Sequence, residues 1–304
     1  MSGVVVPKRK DGMVTGIKRD YQGREKAKKD AGAADHPRNA YTSMFEAFRD
    51  ELDEHHDRRM RIGKVSRDVT ALSKKIIFSL QRVRKLSQPI PERIQTEIDG
   101  RLKEIAEHLE TIQPDVQGMN RHRYPLICLE EFVEAVSFAH YLRHQTLMAP
   151  AEAQHVLPVD IQLTATDYVF GIFDLTGEMM RFATAVTALS GGMPTGDRPQ
   201  KGSGEAQSEG HDNDNDNDGE NDGKRTILTD MQDVSSMLQI CPTLGSKSNT
   251  YAKKLGIMIE QVRKVERLGY GVAVRGNERP KGWMPDLNDR YPVGGDGDDV
   301  TMTD

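Results

Sequence analysis

Two pairs of acidic residues stand where acids do not ordinarily sit. In the stretch Leu129-Glu130-Glu131-Phe132-Val133-Glu134-Ala135-Val136-Ser137-Phe138, helical spacing puts Ile127, Glu131, Glu134, Phe138 and Tyr141 on one stripe. Two carboxylates therefore lie one turn apart inside an apolar face, with Glu130 on the solvent side as the contrast. Phe170, Asp174, Glu178 and Phe182 repeat the arrangement. Burying several carboxylates without a counter-charge is costly enough that they take up protons or recruit cations. An oxygen-only donor set suits Mg²⁺ or Mn²⁺ better than Zn²⁺. Such an ion can activate water and stabilise a phosphodiester under in-line attack. The same pattern also accommodates Arg143, Arg181 or His140 as ion-pair partners in a metal-free core, and spacing alone does not choose between the two.

Other chemistries find less support. Neither acidic stripe carries the Glu-x-x-His of di-iron bundles. The cluster Glu54-His55-His56-Asp57 lacks the second His of a zinc-protease motif and reads as a solvated helix face. There is no phosphate-binding G-x-x-x-x-G-K-[ST] loop, no G-x-S-x-G elbow and no plausible Cys and His pair. The two cysteines, Cys128 and Cys241, are too few for a disulfide framework or a zinc site and read as reduced, buried thiols. Arg121, His122 and Arg123 precede the first acidic helix, where they either neutralise nucleic-acid phosphates or form a polar turn. Lys74, Lys75, Arg82, Arg84 and Lys85 offer the same two readings.

The elements that must position these side chains are helices. Phe45, Phe48 and Leu52, then Ile62, Val65, Val69, Leu72, Ile76, Leu80 and Val83, recur in steps of three and four, which predicts one very long amphipathic helix, bent near Gly63 and ended by Pro89 and Pro91. A second helix follows from Ile94 to Pro114. The third takes Pro125 into its first turn and runs to about Leu147, closed by Pro150. The fourth opens on a Thr164/Asp167 capping box and stops at Gly191 and Gly192. Two more helices carry Ile227 to Leu238 and Tyr251 to Val265, and the chain after Gly271 reads as extended. The expected fold is all-α, an antiparallel bundle of about six to seven helices.

Composition and charge frame that bundle. The 304 residues are 36% hydrophobic and carry a formal charge of −5. Mean hydropathy is −0.64. Polar segments outside the core explain these values: a basic, disordered tail over 1–40, a disordered acidic insertion at about 191–224 with an alternating run from Asp212 to Asp218, and a flexible tail over 281–304. The run lacks the Gly turn and terminal Glu of a calcium loop. The basic start suits a nuclear import signal, an RNA-touching arm or a plain solvated tail. No run of apolar residues is long enough for a membrane span, so a soluble, intracellular protein is expected.

Four strings carry a family resemblance: FRDELDEHHDRRMRIGKVSRDVTALSKKIIFSLQR from Phe48, LEEFVEAVSFAH from Leu129, DYVFGIFDLTGEMMR from Asp167 and KVERLGYGVAVRGNERP from Lys264. Together they resemble the translin family in its X-type branch. The resemblance implies an α-helical, translin-like subunit that joins translin in a hollow hetero-octamer and carries Mg²⁺-dependent endoribonuclease activity in cytoplasm and nucleus. Its substrates would be single-stranded or small RNA, such as passenger strands or tRNA-precursor fragments, with DNA as a further ligand. By motif, the acidic site falls on Glu131, Glu134, Asp174 and Glu178. The first three are implied as metal ligands, and Glu178 as a fourth ligand or a base for water; Arg121, His122 and Arg123 stand near a His-Arg pair of the family. A non-catalytic nucleic-acid-binding partner that stabilises translin is the alternative.

Overall fold

The computed structural model describes residues 39–196, 225–241 and 248–275. The basic tail, the alternating Asp and Asn run, the Pro242 to Gly245 break and the tail over 281–304 lie outside the described residues. Within them the chain forms eight α-helices: α1 (Thr42–Leu80), α2 (Glu92–Ile112), α3 (Asn120–Arg123), α4 (Cys128–His144), α5 (Pro150–Val156), α6 (Ala165–Ser190), α7 (Ile227–Ile240) and α8 (Ser248–Arg275). A 3-10 turn, Gln113–Val116, follows α2. No strand occurs among the described residues. A single antiparallel bridge joins Thr195 to Thr226, so the two ends of the acidic insertion leave and re-enter the fold side by side.

Each main helix buries the stripe its sequence spaces. Ile62, Val65, Val69, Leu72, Ile76 and Leu80 of α1 meet Ile94, Ile98, Ile105, Leu109 and Ile112 of α2 in one core. Packed against α1 is α4; α6 lies against α4, and α8 against both α6 and α7. The helix ends are set by local chemistry. At α6, Thr164 Oγ1 accepts from the Asp167 amide at 3.2 Å while Asp167 Oδ2 accepts from the Thr164 amide at 2.9 Å, and Gly191 closes the helix at φ +77°.

Several expectations are corrected. Helix α1 ends at Leu80, well before the prolines, and residues 83–90 instead run over the core, burying Val83, Leu86 and Ile90. A proline forbids helix only near itself, so tertiary burial decides the earlier end. Helix α1 runs through Gly63 without a break. Pro125 precedes α4, which closes on Gln145 in the left-handed region (φ 50°), and Pro150 opens α5 rather than ending α4. Helix α8 continues through Gly269 and Gly271 to Arg275, because Val265, Leu268 and Gly271 are buried and packing overrides glycine's poor helix propensity. Phe45, Phe48 and Leu52 are helical as expected, yet Phe45 is 63% and Leu52 68% exposed.

Candidate metal centre

The two acidic helices approach so closely at one point that a side chain is excluded. A Cβ built on Gly171 would lie 2.7 Å from the Val133 side chain and 2.8 Å from the Glu130 carbonyl oxygen. Beside this crossing, Glu131 and Glu134 of α4 and Asp174 and Glu178 of α6 line a single cleft of about 440 Å³. Lys74, Ile77 and Phe78 of α1, Gln81 just past its end, Arg181 of α6 and Gln261 of α8 complete its walls. All four acids picked out by spacing are thus brought together.

Their neighbours divide them. Asp174 accepts two hydrogen bonds from Lys254 Nζ, at 2.7 Å on Oδ1 and 2.6 Å on Oδ2. Glu131 Oε1 lies 3.3 Å from Lys74 Nζ. Glu178 Oε1 lies 3.4 Å from Arg181 Nε, and its Oε2 accepts from Gln81 Nε2 at 2.8 Å. Glu134, buried, has no hydrogen bond or ion pair among the described residues. Burial pushes its carboxyl up to about 8, and the negative charges of Asp174, Glu131 and Glu178 push the same way against a smaller pull from Lys254. Four acids face three cations, and the deficit falls on Glu134.

As a metal site, the cleft fits in donor chemistry and in charge. Its oxygens are hard, and a divalent cation would offset the burial and the like-charge repulsion that together raise the Glu134 carboxyl. The side chains are not drawn into a cage, however. Among the described residues no three His, Cys, Asp or Glu side chains are grouped so as to hold a metal ion. Asp174, Glu131 and Glu178 are instead turned onto Lys254, Lys74 and Arg181.

Of the partners that spacing allowed, only Arg181 pairs with a site acid. Arg143 donates to Gln95 Oε1, and His140 bonds Thr146 Oγ1 at 3.0 Å. Lys254 was missed because it arrives on α8, far along the chain, and nothing local points to it. Glu130 is not the solvated contrast expected; it is half-buried, with Oε2 3.8 Å from Lys254 Nζ. Ile127, placed on the apolar stripe, is exposed.

The basic trio before α4 splits. Arg121 is buried, pairs with Asp167 Oδ2 and donates to the Gln162 carbonyl at 2.9 Å, so it braces the α6 N-terminus rather than facing a ligand. His122 and Arg123 are exposed, Arg123 lying 6.0 Å over the Tyr124 ring. In the cluster Glu54-His55-His56-Asp57, His55 is tied to the Tyr124 hydroxyl and is partly buried. Cys128 is buried, its thiol raised to about 11 chiefly by burial, and Cys241 is partly exposed. No described helix is long and apolar enough to cross a membrane.

An all-helical bundle whose two central helices present four carboxyls to one cleft is the class that fold and site define. The translin family model matches residues 57–276, and the chain belongs to that family. It is 27% identical over 274 residues to translin-associated protein X of Rattus norvegicus, covering 80% of this chain and 82% of that protein. The likeness to translin-associated protein X of Mus musculus is the same. To the translin-associated protein X homolog of Schizosaccharomyces pombe it is 33% identical over 143 residues, 45% of this chain and 59% of that protein.

Proposed function

We propose that the chain is the metal-dependent endoribonuclease subunit of a translin-containing hetero-oligomer and cleaves single-stranded or small RNA. The observation that carries this reading is Glu134: a buried carboxyl facing three other acids without a cation of its own is a site that folding alone does not ask for. Glu131, Glu134 and Asp174 would hold Mg²⁺ or Mn²⁺, with Glu178 as a further ligand or as the base for water. The ion would polarise the phosphodiester and acidify the attacking water. Gln81 fixes Glu178 Oε2 by its 2.8 Å hydrogen bond, which orients the carboxylate toward the cleft. The exposed Arg181 and Lys74 at the rim suit RNA phosphates, as do His122 and Arg123 ahead of α4.

Support for a protein partner comes from the names of the relatives and from α1. Tyr41, Met44, Phe45, Phe48 and Leu52 form a contiguous run of exposed apolar side chains at one end of a long helix, the kind of surface that marks an association site.

A second reading, a non-catalytic partner that binds nucleic acid and stabilises translin, draws on the Lys254 and Lys74 contacts, which partly neutralise the cleft without metal. One experiment separates the two. The chain co-expressed with translin is given Mg²⁺ and single-stranded RNA, alongside Glu134→Gln and Asp174→Asn. Loss of cleavage by at least about a hundredfold in both variants is expected, on the scale of removing a group central to the transition state. Unchanged cleavage eliminates the site, and an inactive wild type favours the second reading.

A further inference from the structure

We infer that Lys254 is a resident counter-ion with two seats, Asp174 and Glu130, and that it moves from the first to the second when a divalent cation enters the acidic cleft. This rests on the reading of the cleft as a metal centre, and it makes Lys254 a positioning residue that sets the cation affinity of the site.

The three cations at the cleft are not alike. Lys74 and Arg181 sit at the rim, with side chains 52% and 63% exposed, and each makes one contact longer than 3.2 Å to its acid. Such pairs are screened and hold little. The Lys254 side chain is only 21% exposed and grips both Asp174 oxygens, at 2.7 and 2.6 Å. Its ammonium also lies 5.4 Å from the centre of the Phe170 ring. A carboxylate with both oxygens engaged by an ammonium offers a metal only its remaining lone pairs, so the ammonium competes with an incoming cation for Asp174. A divalent ion on Asp174 would in turn repel the lysine at short range.

The fold supplies a place for it to go. Glu130 Oε2 is already 3.8 Å from Lys254 Nζ and lies on α4 beside Glu131, outside the proposed ligand set. A small rotation of the flexible lysine stem exchanges one carboxylate for the other, keeping the charge paired and leaving α8 in place. Glu130, which sequence spacing assigns to solvent, then has a role that accounts for its burial beside the site.

The test reads Mn²⁺ binding rather than turnover. The full-length chain, purified as it assembles and stripped with EDTA, is titrated with Mn²⁺ by electron paramagnetic resonance and calorimetry. Lys254→Met removes the competitor and is expected to tighten Mn²⁺ binding by about five- to tenfold while lowering the metal-free melting temperature, on the usual scale of coupling between two ligands. Glu130→Gln removes the second seat, and Lys254→Arg grips Asp174 with a fork. Both are expected to weaken Mn²⁺ binding by about threefold or more. Circular dichroism establishes folding, and Lys254→Arg keeps the charge should the methionine variant fail to fold. Unchanged or weaker Mn²⁺ binding in Lys254→Met, or unchanged binding in Glu130→Gln and Lys254→Arg, overturns the two-seat device while Glu134→Gln still abolishes binding. A wild type that takes up no Mn²⁺, with Glu134→Gln identical to it, overturns the metal-centre reading and this inference together.

Discussion

Replacing Glu134 with glutamine should stabilise the metal-free protein, and should do so more as pH rises. Burial and the three neighbouring acids lift the folded-state carboxyl from an ordinary 4.5 to about 8. Below pH 4.5 the group is protonated in both folded and unfolded chains and contributes no pH dependence. Between 4.5 and 8 the unfolded chain releases the proton while the folded one keeps it, so wild-type stability falls with rising pH, levelling off above 8. At pH 7 the separation spans about 2.5 units, which at about 1.36 kcal/mol each comes to roughly 3 kcal/mol. A neutral glutamine of nearly the same shape escapes that penalty. Urea denaturation of wild type and Glu134→Gln in EDTA, from pH 4.5 to 7, should therefore show the variant's advantage growing by about 3 kcal/mol. The corresponding gain in melting temperature is about 6–12 °C for a domain of this size. Parallel stability curves, or an advantage that shrinks with pH, would refute the claim that Glu134 is an uncompensated buried acid. Saturating Mn²⁺ should reverse the order, because only the wild type has a carboxylate to offer it.

Metal entry must displace the Glu134 proton, so Mn²⁺ binding at pH 7 should release close to one proton per site and tighten up to about pH 8; calorimetry in buffers of different ionisation enthalpy measures this, and zero release contradicts it. Arg121→Ala leaves Asp167 buried without its guanidinium and should cost about 3–5 kcal/mol in denaturant melts, whereas a surface arginine that only met RNA would cost almost nothing. Gly171→Ala places a methyl against Val133 and should cost about 1–3 kcal/mol, together with a measurable loss of Mn²⁺ affinity as α4 and α6 part. Phe48→Glu, on the exposed end of α1, should leave the chain's helicity intact while abolishing co-purification with translin. Retained assembly would remove α1 as the docking surface.

What could be read ahead of the structure followed from local periodicity. The stripes of α1, α2, α4 and α6 fixed which acids share a face, and the Thr164 box and Gly191 marked the two ends of α6 to within a residue. What stayed hidden depended on neighbours distant in sequence. Lys254 comes from α8 and meets Asp174 only in the folded bundle. Arg121 reads as one of three adjacent basic residues, and nothing near it reveals that Asp167 claims it. Glu130 is covered by Lys254 of α8, and Ile127 lies at the N-cap before α4 begins, whereas a helical wheel supposes one buried side and no end. The exposure of Phe45 and Leu52 escaped notice for the opposite reason. The spacing describes an apolar face, but only the packing of the rest shows that α1 outruns the bundle there.

The near-contact of α4 and α6 at Gly171 has a bearing on how the protein can vary. The gap across which the acids face one another is set by a missing side chain in the interior, and no loop length enters into it. The long acidic segment leaves at Thr195 and returns at Thr226 through a single bridge, so its growth exerts no leverage on that gap. Loops could lengthen or shed residues over evolutionary time while the distance between the opposing carboxyls held steady. A single methyl in the interior would disturb that distance more than dozens of residues added outside.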